Sequence, residues 1–121
     1  MIDHVGLEVS DLARSGAFYD AVFFPLGIRR MFESERALAY GINEARFWIT
    51  ERGRPPQATF GHVAFEATGK AAVDAAYEAG LTGGGRSDGP PGPRRQYGPR
   101  YYAAYLLDPD GVRIEVVSGS R

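Results

Sequence analysis

Phe60-Gly61-His62-Val63-Ala64-Phe65-Glu66-Ala67 has a counterpart near the start of the chain, Ile2-Asp3-His4-Val5-Gly6-Leu7-Glu8-Val9. Sliding one half over the other pairs His4 with His62, Val5 with Val63 and Glu8 with Glu66. The match continues through Ala13 with Ala71, Ala17 with Ala75 and Tyr19 with Tyr77. A register kept through a strand and into the following helix indicates duplication of one supersecondary unit, not a chance dipeptide. Two histidines therefore occupy matching places in two half-chains.

Working outward, alternation from Ile2 to Val9 puts Val5, Leu7 and Val9 on one strand face and His4, Gly6 and Glu8 on the other. Ser10 or Asp11 caps a helix reaching about Phe23, in which Gly16 and the alanines allow close packing on a sheet, and Pro25 and Gly27 stop it. Arg29 to Glu33, Ala37 to Gly41 and Arg46 to Thr50 read as three short strands, the last two joined by a turn around Ile42-Asn43-Glu44. A polar connector, Gly53 to Thr59 with Pro55 and Pro56, leads into the second half. There the pattern predicts a strand over Gly61 to Ala67 and a helix from Lys70 to Ala79 ended by Gly80. Gly83 to Ser87 is a marginal strand, and the Pro, Gly and Arg-rich segment Asp88 to Arg100 reads as a loop. Tyr101 to Leu107 and Val112 to Ser118 close the chain as a hairpin about Asp108-Pro109-Asp110-Gly111. The expectation is an α+β fold in a single domain over residues 1–121, with module one at 1–52, the connector at 53–59 and module two at 60–121.

Composition narrows the function. A chain of 121 residues is long enough to bury a core without staples. With no cysteine there is no disulfide or thiolate site, so a metal would be held by His, Asp, Glu or Tyr. Fourteen basic residues balance fifteen acidic ones, and no basic stripe with interleaved aromatics runs through the chain, which argues against nucleic acid as a partner. No signal-like or membrane-length apolar run is present, so a soluble cytoplasmic protein with no membrane partner is the default.

The chemistry-bearing residues emerge from alternation. In three strands the face opposite the apolar residues carries a side chain of metal-ligand type: His4, His62 and Glu115. Singly, each histidine reads as a hydrogen-bonded structural residue. In register across a repeat, and with Glu115 beside Ile114 and Val116, they read as two imidazoles and a carboxylate that converge if the sheet curls, leaving positions open for substrate.

These residues resemble the vicinal oxygen chelate superfamily, which includes glyoxalase I, extradiol dioxygenases, fosfomycin-resistance enzymes and bleomycin-resistance proteins. The resemblance covers essentially the whole chain. It is carried by His4 to Leu12 (HVGLEVSDL), Phe18-Tyr19, Gly61 to Phe65 (GHVAF), Asp108 to Gly111 (DPDG) and Ile114-Glu115. It implies two βαβββ modules forming half-open curved sheets, completed in a homodimer, and a divalent ion (Fe, Mn, Ni or Zn) on His4, His62 and Glu115. Glyoxalase I adds a glutamate ligand, which doubles as the base, at a position filled here by Trp48. An indole can neither ligate the ion nor accept the proton, so the resemblance points away from ordinary glyoxalase I. It points instead to dioxygenase-like or lyase/transferase-like chemistry on a small molecule with two adjacent oxygens. The alternative is a non-catalytic drug- or metabolite-binding resistance protein.

Glu8 and Tyr101 are candidates for a catalytic group, and Trp48, Tyr101 and Arg95 for the substrate pocket. Each also has a plainer reading: Glu8 at a solvated mouth, the aromatics in sheet packing. Arg94, Arg95 and Arg100 either clamp an anionic substrate or simply solubilise their loop.

Overall fold

The duplicated pattern folds as a duplicated structure. The computed structural model of the protein describes every residue except Thr59, so that the end of the expected connector at 53–59 lies outside the described residues. The first half consists of β1 (Val5–Val9), α1 (Leu12–Phe23), a 3-10 turn (Phe24–Leu26), β2 (Arg29–Glu33), β3 (Ala37–Gly41) and β4 (Ala45–Glu51). The second consists of β5 (His62–Glu66), α2 (Lys70–Thr82), β6 (Arg86–Pro93), β7 (Tyr102–Leu107) and β8 (Arg113–Ser118). Each half forms a four-stranded sheet, β1-β4-β3-β2 and β5-β8-β7-β6, in which the first strand runs parallel to the last and the others are antiparallel. This is the α+β arrangement of two βαβββ modules that the repeat implied.

The helices pack between the sheets because both carry small residues where a neighbour must come close. Asp11 caps α1 by accepting a hydrogen bond from the Arg14 N–H at 3.0 Å. At Gly16 a Cβ would stand 2.8 Å from Leu38 Cδ1 of β3. Gly80, expected to end α2, instead lies buried inside it; the helix runs on to Thr82, and Gly83 follows as its cap. A Cβ at Gly80 would come 2.6 Å from Leu106 Cδ1 and 3.0 Å from Val22 Cγ2, so this glycine serves helix-to-helix and helix-to-sheet approach.

The segment Asp88 to Arg100, read as a loop, supplies most of an eight-residue strand, Arg86–Pro93. Prolines are tolerated because β6 is an edge strand bonded only to β7, and its register breaks around Gly89 let the pairing skip residues.

An aromatic cluster joins the two halves. Phe23 stacks edge-on against Phe65 at 4.7 Å and Phe47 against Phe65 at 5.1 Å, with Tyr19 and Tyr40 on the other side of Phe23 and Phe47. Such pairs contribute about 0.5–1.5 kcal/mol each beyond their buried area. A polar clasp adds to it: the buried Tyr19 hydroxyl donates to Asp108 Oδ2 at 2.5 Å, while Oδ1 accepts the N–H groups of Asp110 and Val112 at 2.9 and 2.8 Å. Burial raises the Asp108 carboxyl above the ordinary aspartate range in spite of these bonds. Asp110 also accepts from the Ser10 hydroxyl and from Arg14, tying the start of α1 to the β7–β8 turn.

Candidate metal and substrate face

On the face of the second sheet turned away from the helices, His62 of β5, Arg113 and Glu115 of β8 and Tyr105 of β7 gather from three strands adjacent in the sheet, together with Tyr101 just before β7. Strand pairing dictates this: His62 lies beside Arg113, and Glu115 lies between Ala64 and Tyr105. His62 Nε2 is 2.9 Å from Glu115 Oε1, and the Tyr101 hydroxyl donates to Glu115 Oε2 at 2.5 Å. Glu115 is only 2% exposed although its strand face is open, because these side chains cover it. The His62 side chain keeps 41% of its surface accessible. The His62 ring also stands edge-on to Tyr105, with centroids 6.2 Å apart. Burial and then the neighbouring Glu115 carboxylate hold the Tyr101 phenol above the usual tyrosine range, so it is a hydrogen-bond donor throughout the physiological pH range.

His4 is placed elsewhere. It precedes β1 on the first sheet, its Nδ1 is 2.8 Å from Asp3 Oδ1, and its side chain is 58% exposed. Among the described residues no three His, Asp or Glu side chains come together as a metal site within one chain. The chain thus brings together His62 and Glu115 and leaves His4 apart. The pair it does form suits a divalent ion. Two donors each about 2.1 Å from one ion at right angles stand about 3 Å apart, as Nε2 and Oε1 do. Tyr101, bonded to the second carboxylate oxygen, is placed to orient such a ligand.

The other candidate residues sort by geometry. Trp48 of β4 lies across from Gly6 and packs on Phe32 with ring centroids 5.3 Å apart, on the first sheet. Glu8 is ion-paired with Arg54, at 3.1 and 3.2 Å, and lies 3.7 Å from Arg52. The Arg54 hydrogen bond holds its carboxyl below the ordinary glutamate range, which favours a salt bridge over a base poised near neutrality. Glu8 and Arg54 line a cleft of about 750 Å³ that Asp110 and Gly111 close from the other half. A second cleft of about 470 Å³ lies between His4, Val5 and Phe47 of one half and Val63 and Phe65 of the other. Arg95 is exposed on the turn after β6. Its neighbour Arg94 is the residue that reaches back over the Tyr105 ring, 5.6 Å from the centroid, and Arg113 stacks on the same ring at 4.0 Å. From the sequence, Tyr105 is only one of an aromatic group with Tyr97, Tyr101 and Tyr102 that either lines a pocket or packs in the sheet, and alternation puts Arg113 on the face of Glu115 without giving it a role.

Two mixed βαβββ sheets, with an imidazole and a carboxylate meeting on one of them, define a glyoxalase-type fold. The sequence model described as the Glyoxalase/Bleomycin resistance protein/Dioxygenase superfamily matches residues 1–116, and the chain belongs to that superfamily of metalloenzymes and resistance proteins. A solved glyoxalase/bleomycin resistance protein from Albidiferax ferrireducens T118 is 34% identical, with 95% of each chain covered and a TM-score of 0.84. The fosfomycin resistance protein FosX from Mesorhizobium loti shares the fold at 22% identity, TM-score 0.71, over 98% of this chain and 92% of that one. A variant of FosX from Listeria monocytogenes, complexed with Mn(II) and 1S,2S-dihydroxypropylphosphonic acid, shares it at 23% identity, TM-score 0.69, over 96% and 87%. No curated protein sequence matches the chain. Among the described residues no helix is long and apolar enough to cross a membrane.

Proposed function

We propose that the protein is a divalent-metal-dependent enzyme of the vicinal oxygen chelate type, acting on a small molecule with two adjacent oxygens. The carrying observation is the contact between His62 and Glu115, backed by Tyr101, on an open sheet face. In this reading His62 and Glu115 are two ligands and His4 is the third, supplied by a second copy of the chain in a homodimer, since His4 lies apart from them within one chain. A bound ion would supply Lewis acidity toward the substrate oxygens. The chain's own contribution is to fix the carboxylate through Tyr101 and to leave the His62 side of the site open. The Mn(II) held by the Listeria FosX variant supports a metal on this fold and leaves its identity here to be measured. Dioxygenase-like and lyase/transferase-like reactions both suit the site, and with Trp48 in place of a glutamate ligand and base an ordinary glyoxalase I reaction does not.

The test is metal content by elemental analysis of anaerobically purified wild type beside His4→Ala, His62→Ala and Glu115→Ala. About one ion per chain in the wild type, lost in all three variants while their circular dichroism is unchanged, is the expected result. Wild type that stays metal-free after reconstitution with Mn(II), Fe(II), Ni(II) and Zn(II) would instead favour a drug- or metabolite-binding resistance protein. The half-exposed aromatic pair Phe32–Trp48 is the observation behind that second reading.

A further inference from the structure

The charge balance on the second sheet is incomplete. Arg113 has a carboxylate partner, Asp88, at 2.8 Å, and Glu115 is satisfied by His62 and Tyr101. Arg94 has none among the described residues: its guanidinium donates to the backbone carbonyls of Pro90 and Pro93, at 2.8 and 3.4 Å, and hangs over the Tyr105 ring. It is half-buried, and so is held in place by β6 without an acid to neutralise it. The same tyrosine ring lies 6.2 Å from His62. Next to this group Tyr97, 62% exposed, packs against Tyr101 at 5.3 Å and leaves an aromatic surface open to solvent. A fixed cation without a counter-ion, an exposed aromatic shelf and the His62–Glu115 pair thus border one face.

We propose that Arg94, stacked on Tyr105, is the anion-binding group of this site. The substrate would then be an aromatic or otherwise planar oxyanion, whose carboxylate or phosphonate pairs with Arg94 while its body lies on Tyr97 and Tyr101. This rests on the site proposed above and names the substrate class it takes. A guanidinium offers two parallel N–H groups to such an oxyanion, which a lysine cannot match.

The experiment uses chelator-treated, metal-free full chain and three probes of one shape, benzoate, phenylphosphonate and benzamide, with Kd read from chemical-shift titrations. Wild type is expected to bind at least one of the two anions about tenfold more tightly than benzamide. Whichever anion is preferred tells carboxylate from phosphonate. In Arg94→Gln that preference should vanish with benzamide binding unchanged, and Arg94→Lys should restore part of it, which excludes simple damage to β6. Equal binding of all three probes by wild type, or a preference that survives Arg94→Gln, overturns the proposal; so does a preference lost only in Arg113→Gln. Mn(II) uptake is measured separately on the same preparations. An anion preference without metal uptake sinks the metalloenzyme reading alone, and uptake without a preference sinks this one alone.

Discussion

Glu115 is a carboxylate taken almost wholly out of water, and a buried charge is tolerated only where its oxygens are paired. His62 serves Oε1 and Tyr101 serves Oε2. Tyr101→Phe leaves Oε2 without its donor, so urea denaturation should show a loss of about 1–3 kcal/mol. If the carboxylate is a metal ligand, the same variant should bind Mn(II) about 10–100-fold more weakly, as expected when the group that orients a ligand is removed. The pH dependence follows from the phenols. Tyr19, Tyr40 and Tyr101 are each held above the ordinary tyrosine range, by burial first and then by a carboxylate neighbour. In the unfolded chain they ionise near pH 10. Their stabilising contribution is therefore complete below about pH 10 and is lost as the pH rises above that, because the unfolded chain releases protons that the folded chain retains. A stability profile that stays flat from pH 9 to 12 in denaturant titrations would contradict this.

Among the elements, the first strands of the two halves were the most legible, since an alternating pattern with a histidine at one end recurs in register. The α1 cap, the β2 to β4 meander and the β7–β8 hairpin were also legible, because turn residues and apolar runs agreed locally. Gly80 and β6 were not. A glycine spaced by helix packing looks the same in sequence as a glycine that stops a helix, and an edge strand made of Pro and Gly carries no strand propensity of its own. Glu115 could be read from alternation, whereas Arg94 over Tyr105 depends on how β6 bends. The separation of His4 depends on how the two sheets are oriented, which local pattern does not encode. Two substitutions test the elements. At Gly41 a Cβ would sit 1.6 Å from the Glu44 carbonyl oxygen, so Gly41→Ala must open the β3–β4 turn, and a loss of more than about 2 kcal/mol in thermal or urea unfolding is expected. Tyr19→Phe removes the only side-chain donor to buried Asp108 among the described residues and should cost about 1–3 kcal/mol in the same assay.

For the whole molecule, the aromatic cluster and the Tyr19–Asp108 clasp make the two halves one cooperative unit, so near-ultraviolet and far-ultraviolet unfolding transitions should coincide. The proposed homodimer has a sharper test. If His4 of one copy completes the site of the other, His4→Ala and Glu115→Ala chains, each metal-free alone, should regain one intact site per mixed pair after unfolding and refolding together. Elemental analysis that finds the mixture as empty as its parents would rule out a site shared between two copies. The parallel pairing of β1 with β4 and of β5 with β8 also sets a timetable for the nascent chain. After β1 leaves the ribosome it has no neighbour to bond until Ala45–Glu51 has been made. At about 5–20 residues per second that wait is on the order of seconds. The second half repeats it from His62 to Arg113. Twice during synthesis, then, the segment next to a histidine stays unpaired until its half is finished, and chaperone contact with the nascent protein is to be looked for in those two intervals.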